Sequence, residues 1–340
     1  MEDSILKIAI LPVELVTEIL SRLPVKTLLT FRSVSKSWLA LISSLEFIKN
    51  HLRISANKKD YAQHRLLLRY KCILKDCYLR SLLCNSVMEV SRLDCPVTDQ
   101  HKTFWSVVGS VNGLICLTGG EKALCIWNPS IRKYNTYPDF ITNWMVRIVY
   151  GFGYDEFNDD YKVVRCSYNY GDWPRFDIKV YSLKDDSRRS IRYRPPNGMR
   201  FWGSADEKLE KVEQPCCEKE GVLVLGVLGN NLSVISKDYH LRTHIDVWVM
   251  KEYKVKESST KLFTVKCPHS PASSVFKAPL LVSNKYEILL MFGHKFMLYN
   301  LKDETITYPK FTKIVSGVVK EIYVESLVSP VLQNNPMTQQ

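Results

Sequence analysis

LPVELVTEILSRLPVKTLLTFRSVSKSW, residues 11–38, decides how the rest of the chain is read. Leu11, Leu15, Ile19 and Leu23 recur every four residues, and Val16 and Leu20 widen the stripe to one broad helical face. Pro12 suits a first helical position and Pro24 ends that helix. Val25 to Phe31 reads as a second short helix. A third begins near Ser33 or Ser35, whose hydroxyls cap it, and carries Val34, Trp38, Leu41 and Ile42 on one side. A segment of about 40 residues has too little interior to bury so much apolar surface by itself. The surplus packs on the downstream chain or is kept for a partner, since contiguous exposed apolar surface marks interfaces.

After a polar connector, RISANKKDYAQHR at 53–65, the texture changes to short runs rich in Val, Ile, Tyr and Trp between turn residues. Examples are GLICL (113–117), ALCIWNP (123–129), YKVVRCSY (161–168), IDVWVM (245–250) and KFMLYNL (295–301). No helical interlude is long enough for parallel crossovers, so the downstream domain is all-β and antiparallel. A weak repeat places an aromatic at the end of a strand before a polar turn: Trp127, Tyr181, Trp248 and Tyr299, separated by 54, 67 and 51 residues. Such periods point to propeller blades, with a two-sheet sandwich as the alternative.

The 340 residues are 46% hydrophobic and 24% charged, which suits one large or two ordinary globular domains. MEDSILKIAIL carries two acids where a secretory leader carries positive charge, and the longest apolar run, VLVLGVLG at 222–229, is far short of a bilayer span. A cytoplasmic or nuclear location follows, with no membrane partner. Ten cysteines contain no CxxC pair, so they are expected as reduced, buried small hydrophobes with no structural metal. The net charge of +12 is spread, and its densest patch is RRSIRYRPPNGMR at 188–200, which reads as a loop between strands. That spread argues against a nucleic-acid partner and for solvated or acidic-protein contacts.

Enzyme signatures are missing from the sequence: there is no GxSxG elbow, no GxxxxGK[ST] phosphate loop and no HExxH pair. His240 and His244 are four apart on an extended segment, roughly 13 Å along a strand. Asp155, Glu156, Asp159 and Asp160 lack the alternate spacing of a calcium loop and read as a hairpin turn. No cofactor is expected, and the chain is read as non-catalytic.

The stretch from Leu11 through Glu14, Glu18, Pro24, Lys26, Phe31, Arg32, Ser35, Lys36 and Trp38, followed by LISSLEFIKNHL, resembles the F-box, by which substrate receptors dock on the Skp-type adaptor of cullin-based SCF ubiquitin ligases. The remainder is similar to the plant F-box-associated group, including its S-locus F-box-like members. The matching motifs are VNGLICL with IWNPSIRKYNTYP, YGFGYDEFNDDYKVVRC, HIDVWVMKEYKVKES and YVESLVSP. The resemblance implies a multidomain α+β chain: a three-helix F-box at 8–52, a connector with first strands at 53–100, a kelch-like antiparallel propeller at 101–328 and a flexible tail at 329–340. It implies a substrate-recognition role, with a Skp-type (plant ASK) adaptor and, through it, cullin and RING subunits as partners. The adaptor contacts, or the packing beneath them, are then Leu11, Pro12, Leu15, Ile19, Leu20, Leu23, Pro24, Val25, Leu28, Val34 and Trp38. A protein target is expected on the β-domain loops, with Trp144, Trp173, Trp202, Arg188, Arg189, Arg192 and Arg194 as candidates, because Trp and Arg dominate interface hot spots. Two departures stand out: Ser259 where the family carries Trp, and EKLEKVEQPCCEKE where it carries a strand pair, so a pair near 205–220 is expected to be missing. A non-ubiquitinating scaffold or inactive member is the alternative function.

Overall fold

The computed structural model describes residues 11–58, 60–70, 73–84, 89–96, 105–119, 123–138, 146–169, 176–193, 221–228, 231–238, 244–253, 255–266, 281–282, 287–292, 295–309 and 318–331. Pro12, expected at the first helical position, is instead the cap before α1 (Val13–Ser21) at ψ 142°, and Pro24 likewise precedes α2 (Val25–Phe31) at ψ 148°. The third helical stretch is broken. Ser35 caps α3 (Lys36–Ser43), its hydroxyl accepting the Trp38 amide at 3.1 Å. Ser44 then leaves the helix at ψ 143° and caps α4 (Leu45–Asn57) by accepting the Phe47 amide at 3.3 Å. The helical part therefore runs past the boundary expected at residue 52 and takes the start of the connector with it.

The strands follow as β1 (His64–Tyr70), β2 (Ile73–Tyr78), a short α5 (Leu79–Leu83), β3 (Ser91–Arg92), β4 (Trp105–Val111), β5 (Leu114–Gly119), β6 (Ala123–Asn128), β7 (Lys133–Pro138), β8 (Val146–Asp155), β9 (Asp160–Asn169) and β10 (Phe176–Ser182). Then come β11 (Ser187–Tyr193), β12 (Gly221–Leu228), β13 (Asn231–Asp238), β14 (His244–Met250), β15 (Ser259–Lys266), β16 (Leu281–Val282), β17 (Glu287–Phe292), β18 (Lys295–Asn300), β19 (Ile306–Thr307) and β20 (Val318–Val324). They form five four-stranded antiparallel blades: β20-β1-β2-β3, β4 to β7, β8 to β11, β12 to β15 and β16 to β19. The last strand of the chain closes the ring on the first, Arg65 facing Tyr323 and Leu66 facing Ile322. The first strands expected within 53–100 are β1, β2 and β3, and β1 begins at His64, inside the polar stretch read as connector. Residues 188–193, read as part of a loop, are strand β11, held to β10 along its whole length.

The aromatic repeat has a geometric meaning. Trp127, Tyr181, Trp248 and Tyr299 all lie on the third strand of their blades, and Tyr78 ends the third strand of the remaining one. The polar turns after three of these strands share a device: Asn128 Oδ1 accepts from Ser130 N, Ser182 Oγ from Asp185 N and Asn300 Oδ1 from Lys302 N. Each of these turns then passes through a left-handed residue, Arg132, Asp186 or Glu304. Apolar clusters join neighbouring blades: Leu67 with Ile115 and Trp127, Leu114 with Val163 and Tyr181, Leu66 with Leu289 and Leu298, and Ile245 with Ile288 and Tyr299.

Candidate functional site

The helical core is built by Leu20, Val25, Leu28, Ile42 and Phe47, with Val16, Leu23, Phe31 and Trp38 packed round them. Trp38 meets Phe31 edge-on at 5.4 Å between ring centroids. Two members come from far along the chain. Leu327, 2% exposed, and Ile131 enter this cluster from the β domain. Further ties hold the helices to one another and to the β domain. His51 lies fully buried with Nε2 2.8 Å from the Leu23 carbonyl, and Lys58 Nζ donates to the Arg22 carbonyl at 3.1 Å, so α4 satisfies the open carbonyls at the end of α1. Burial pushes the His51 imidazole below its ordinary pKa, which keeps it neutral. Ser55 donates to Gln63 at 2.7 Å, and Lys49 pairs with Asp159 on the β8–β9 hairpin at 2.7 Å.

The junction gathers three of the sequence motifs. Asn128 of the NPS turn donates its side-chain amide to the Ser326 carbonyl at 3.0 Å and the Val328 carbonyl at 2.7 Å. Ser326 Oγ donates to the Asn112 carbonyl at 2.8 Å. Gly113 beside it has φ +81°, and a Cβ there would lie 2.7 Å from the Val324 carbonyl and closer still to the Ser326 hydroxyl. Thus VNG, WNPS and YVESLVSP meet at one place because each needs the others' backbone. Below it Arg65 makes a two-pronged contact to the buried Asp76 at 2.5 and 2.9 Å and reaches Glu325 at 3.2 Å.

With its inner side closed in this way, the helical unit still presents apolar side chains outward. Leu11, Leu15, Ile19 and Val34 are 52–60% exposed, and Pro12 and Pro24 are exposed as well. Leu23 and Trp38 are half-buried, while Leu20, Val25 and Leu28 lie beneath as packing. The periodicity missed Val13, Leu39 and Leu45, which are as exposed as the rest and widen the same unit's apolar surface. Leu39 follows Trp38 on the helix, and Leu45 directly follows the Ser44 cap, a break that the helical period did not show.

Of the residues named for target binding, Arg188 and Arg189 are exposed on β11, with the Arg188 guanidinium 5.7 Å from the Tyr181 ring centre. Arg192 is on the same strand. Trp144, Trp173, Arg194 and Trp202, and the segment 205–220 in which a strand pair was expected to be missing, lie outside the described residues. The acids of the β8–β9 turn have local work: Asp155 binds Lys162 at 2.5 Å and caps the turn, Asp159 holds Lys49, and Asp160 accepts the Lys184 amide at 2.8 Å. Cys77, Cys95, Cys116 and Cys125 are buried, and burial pushes the Cys77 and Cys125 thiols up to about 12. Among the described residues no helix is long and apolar enough to cross a membrane.

Comparison with known proteins matches the F-box domain over residues 8–50 and the F-box associated beta propeller domain over residues 77–202. An Arabidopsis thaliana F-box/kelch-repeat protein is 30% identical over 358 residues, covering 94% of this chain and 96% of its own length. The Arabidopsis F-box protein CPR1 is 29% identical, covering 94% of this chain and 89% of its own. The chain belongs to the plant F-box proteins that carry an F-box-associated β-propeller domain.

Proposed function

We propose that the protein is the substrate-recognition subunit of an SCF-type E3 ubiquitin ligase, working in the cytoplasm, the nucleus or both. F-box domains bind Skp1-type adaptors, and the observation that carries the reading is the outward stripe of Leu11, Leu15, Ile19 and Val34 on a unit whose own core is already closed by Leu327. Exposing that much aliphatic surface costs solubility unless a partner covers it. The adaptor links the receptor to the cullin and RING subunits, and the β domain holds the target. Catalysis is then by proximity: the receptor raises the effective concentration of target lysines beside the charged E2, and no side chain of this chain performs chemistry.

Co-expression of the full chain with a plant Skp-type adaptor, followed by size-exclusion chromatography with light scattering, should yield a one-to-one complex. Replacing Leu11 and Pro12 by Ala should lower adaptor affinity by about a hundredfold, in line with loss of two central apolar anchors, and leave the thermal midpoint of the uncomplexed chain unchanged. Retention of the adaptor by that double variant would sink the docking assignment. One finding favours a second reading, a receptor that no longer promotes ubiquitination: the 358-residue alignment is longer than this 340-residue chain, so the relative carries residues with no counterpart here. Autoubiquitination in a reconstituted ligase separates the two, since only a productive receptor is modified.

A further inference from the structure

Each blade ends on an outer strand, and four of those edges are blunted. β3 and β19 are two residues long, β7 ends in Pro138, and β15 pairs with β14 through a register shift at Val247/Trp248. Short edges, prolines and bulges are what keep a sheet from recruiting another strand. β11 has none of the three; its protection is the positive charge of three arginines, which repels basic segments but not acidic ones. Its seven residues pair with β10 in unbroken register, from Phe176 opposite Tyr193 to Ser182 opposite Ser187, and among the described residues β10 is its one neighbour.

A cavity of about 550 Å³ opens beside this edge, its lining including Lys162 of β9, Val180 and Ser182 of β10, and Ser187, Arg189 and Ile191 of β11, with the acids Asp160 and Asp185 at the turns. The register puts these side chains on one face: Val180 is opposite Arg189, and Ser182 is opposite both Ser187 and Lys162. The other face of the blade holds Val163 and Tyr181 against β5 and β6. Among the described residues no apolar cluster joins the cavity face to β12–β15, whereas clusters connect the other neighbouring blades. The face is covered at Ile178, which is 3% exposed, and opens again at β8, where Val149 is 57% exposed and a Cβ at Gly151 or Gly153 would meet nothing within 4 Å.

The chemistry of the edge selects its occupant. β11 reads SRRSIRY, three arginines and no acid, with Arg188 and Arg189 exposed on alternate faces. Lys162 and Lys184 at the cavity are held in place by the Asp155 carboxylate and the Asn158 carbonyl. A chain with net charge +12 adds a long-range field of the same sign. We propose that β11 is the docking edge for an extended acidic segment of the target protein. The segment adds as a further strand, its backbone hydrogen-bonded to β11, with carboxylates beside Arg188 and Arg189 and an apolar side chain over Val180 and Ile191. This deepens the receptor reading and rests on it.

The test uses the full chain co-purified with its adaptor, or the chain alone if no adaptor binds, and two fluorescein-labelled peptides, one alternating glutamate with valine and one alternating lysine with valine. The glutamate peptide should bind with an affinity that falls with added salt, slow the hydrogen exchange of β11 amides, and lose about tenfold or more in affinity with Arg188→Glu/Arg189→Glu. Arg188→Lys/Arg189→Lys should retain most of the binding. Equal affinity for the two peptides, or glutamate-peptide binding unchanged in the charge-reversed variant, overturns the proposal. So does slow exchange, before any peptide is added, of the β11 amides that point away from β10, which would mean that another part of this chain or a second copy already covers the edge. Adaptor co-purification, measured on the same variants, reports on the receptor reading separately: a failure there with intact peptide binding condemns the ligase assignment and not the edge.

Discussion

The F-box has two apolar surfaces built from the same residue types, and they meet opposite fates. Leu20, Val25 and Leu28 face inward and are 1% exposed or less, while Leu11, Leu15 and Ile19 face outward and are more than half exposed. Hydrophobicity does not distinguish the two sets. What distinguishes them is whether the remaining chain supplies a mate, and for the inner set it does so from the far end: Leu327 and Ile131 complete the cluster. The inner face is therefore a stability device that couples the two domains, and the outer face has no apolar mate among the described residues.

The strongest way to break this distinction is at Leu327. Leu327→Ala leaves a cavity in the shared cluster and should cost about 3 kcal/mol, read as a lower midpoint in chemical denaturation, with the F-box and the propeller weakened together. Gly113→Ala comes next. A left-handed φ and a Cβ pressed on the Val324 carbonyl both oppose the change, so a loss of about 2 kcal/mol is expected. Both substitutions contrast with the Leu11/Pro12 double variant, which should lose the adaptor at unchanged stability. A Leu327→Ala variant with wild-type stability would show that the domains are merely adjacent.

How much of this was legible in the residues follows the range of the interactions. The helices α1 and α2 and their prolines are local, and the helical period located them. The aromatic at the end of each third strand is a short-range pattern too, so the blades were visible as a loose repeat. Tyr78 lies 49 residues before Trp127, in step with the repeat, but its strand runs straight into α5 instead of a polar turn and so did not match the pattern. Closure of β1 on β20, the Asn128–Ser326 bond and the insertion of Leu327 depend on residues some 200 or more positions apart in sequence, and no periodicity encodes such pairs. Reading 188–193 as loop failed for a related reason. The arginine content of β11 resembles a solvated turn, whereas its structure is set by pairing with β10.

Smaller effects sharpen the comparison at the joint between the domains. His51 is buried with its ring on the Leu23 carbonyl and its pKa lowered by burial. The unfolded chain therefore takes up a proton at this position before the folded one does, and stability falls as pH drops through the ordinary imidazole range, near 6.5. Burial lowers His64 in the same sense and adds to the slope. Thermal midpoints measured from neutral to mildly acidic pH should decline, and His51→Gln should remove part of the decline; an unchanged slope in that variant would mean that His51 titrates alike in both states.

The smallest effect belongs to Lys49 and Asp159, the ion pair joining α4 to the β8–β9 hairpin at 2.7 Å. Both side chains are about half exposed, so water and salt screen the pair and Lys49→Ala should cost only about 0.5 kcal/mol at neutral pH. The pKa of Asp159 is lowered by its hydrogen bonds to Lys49 and to the Tyr154 hydroxyl. A carboxylate lowered in the folded state stabilises it above the unfolded pKa and ceases to do so as pH falls through the folded one. The difference between wild type and Lys49→Ala should accordingly shrink with acid and with added salt, whereas the cost of Leu327→Ala should persist under both. If the Lys49→Ala penalty persisted in the same way, the lysine would be acting through its packed aliphatic stem, and the joint between F-box and propeller would be apolar throughout.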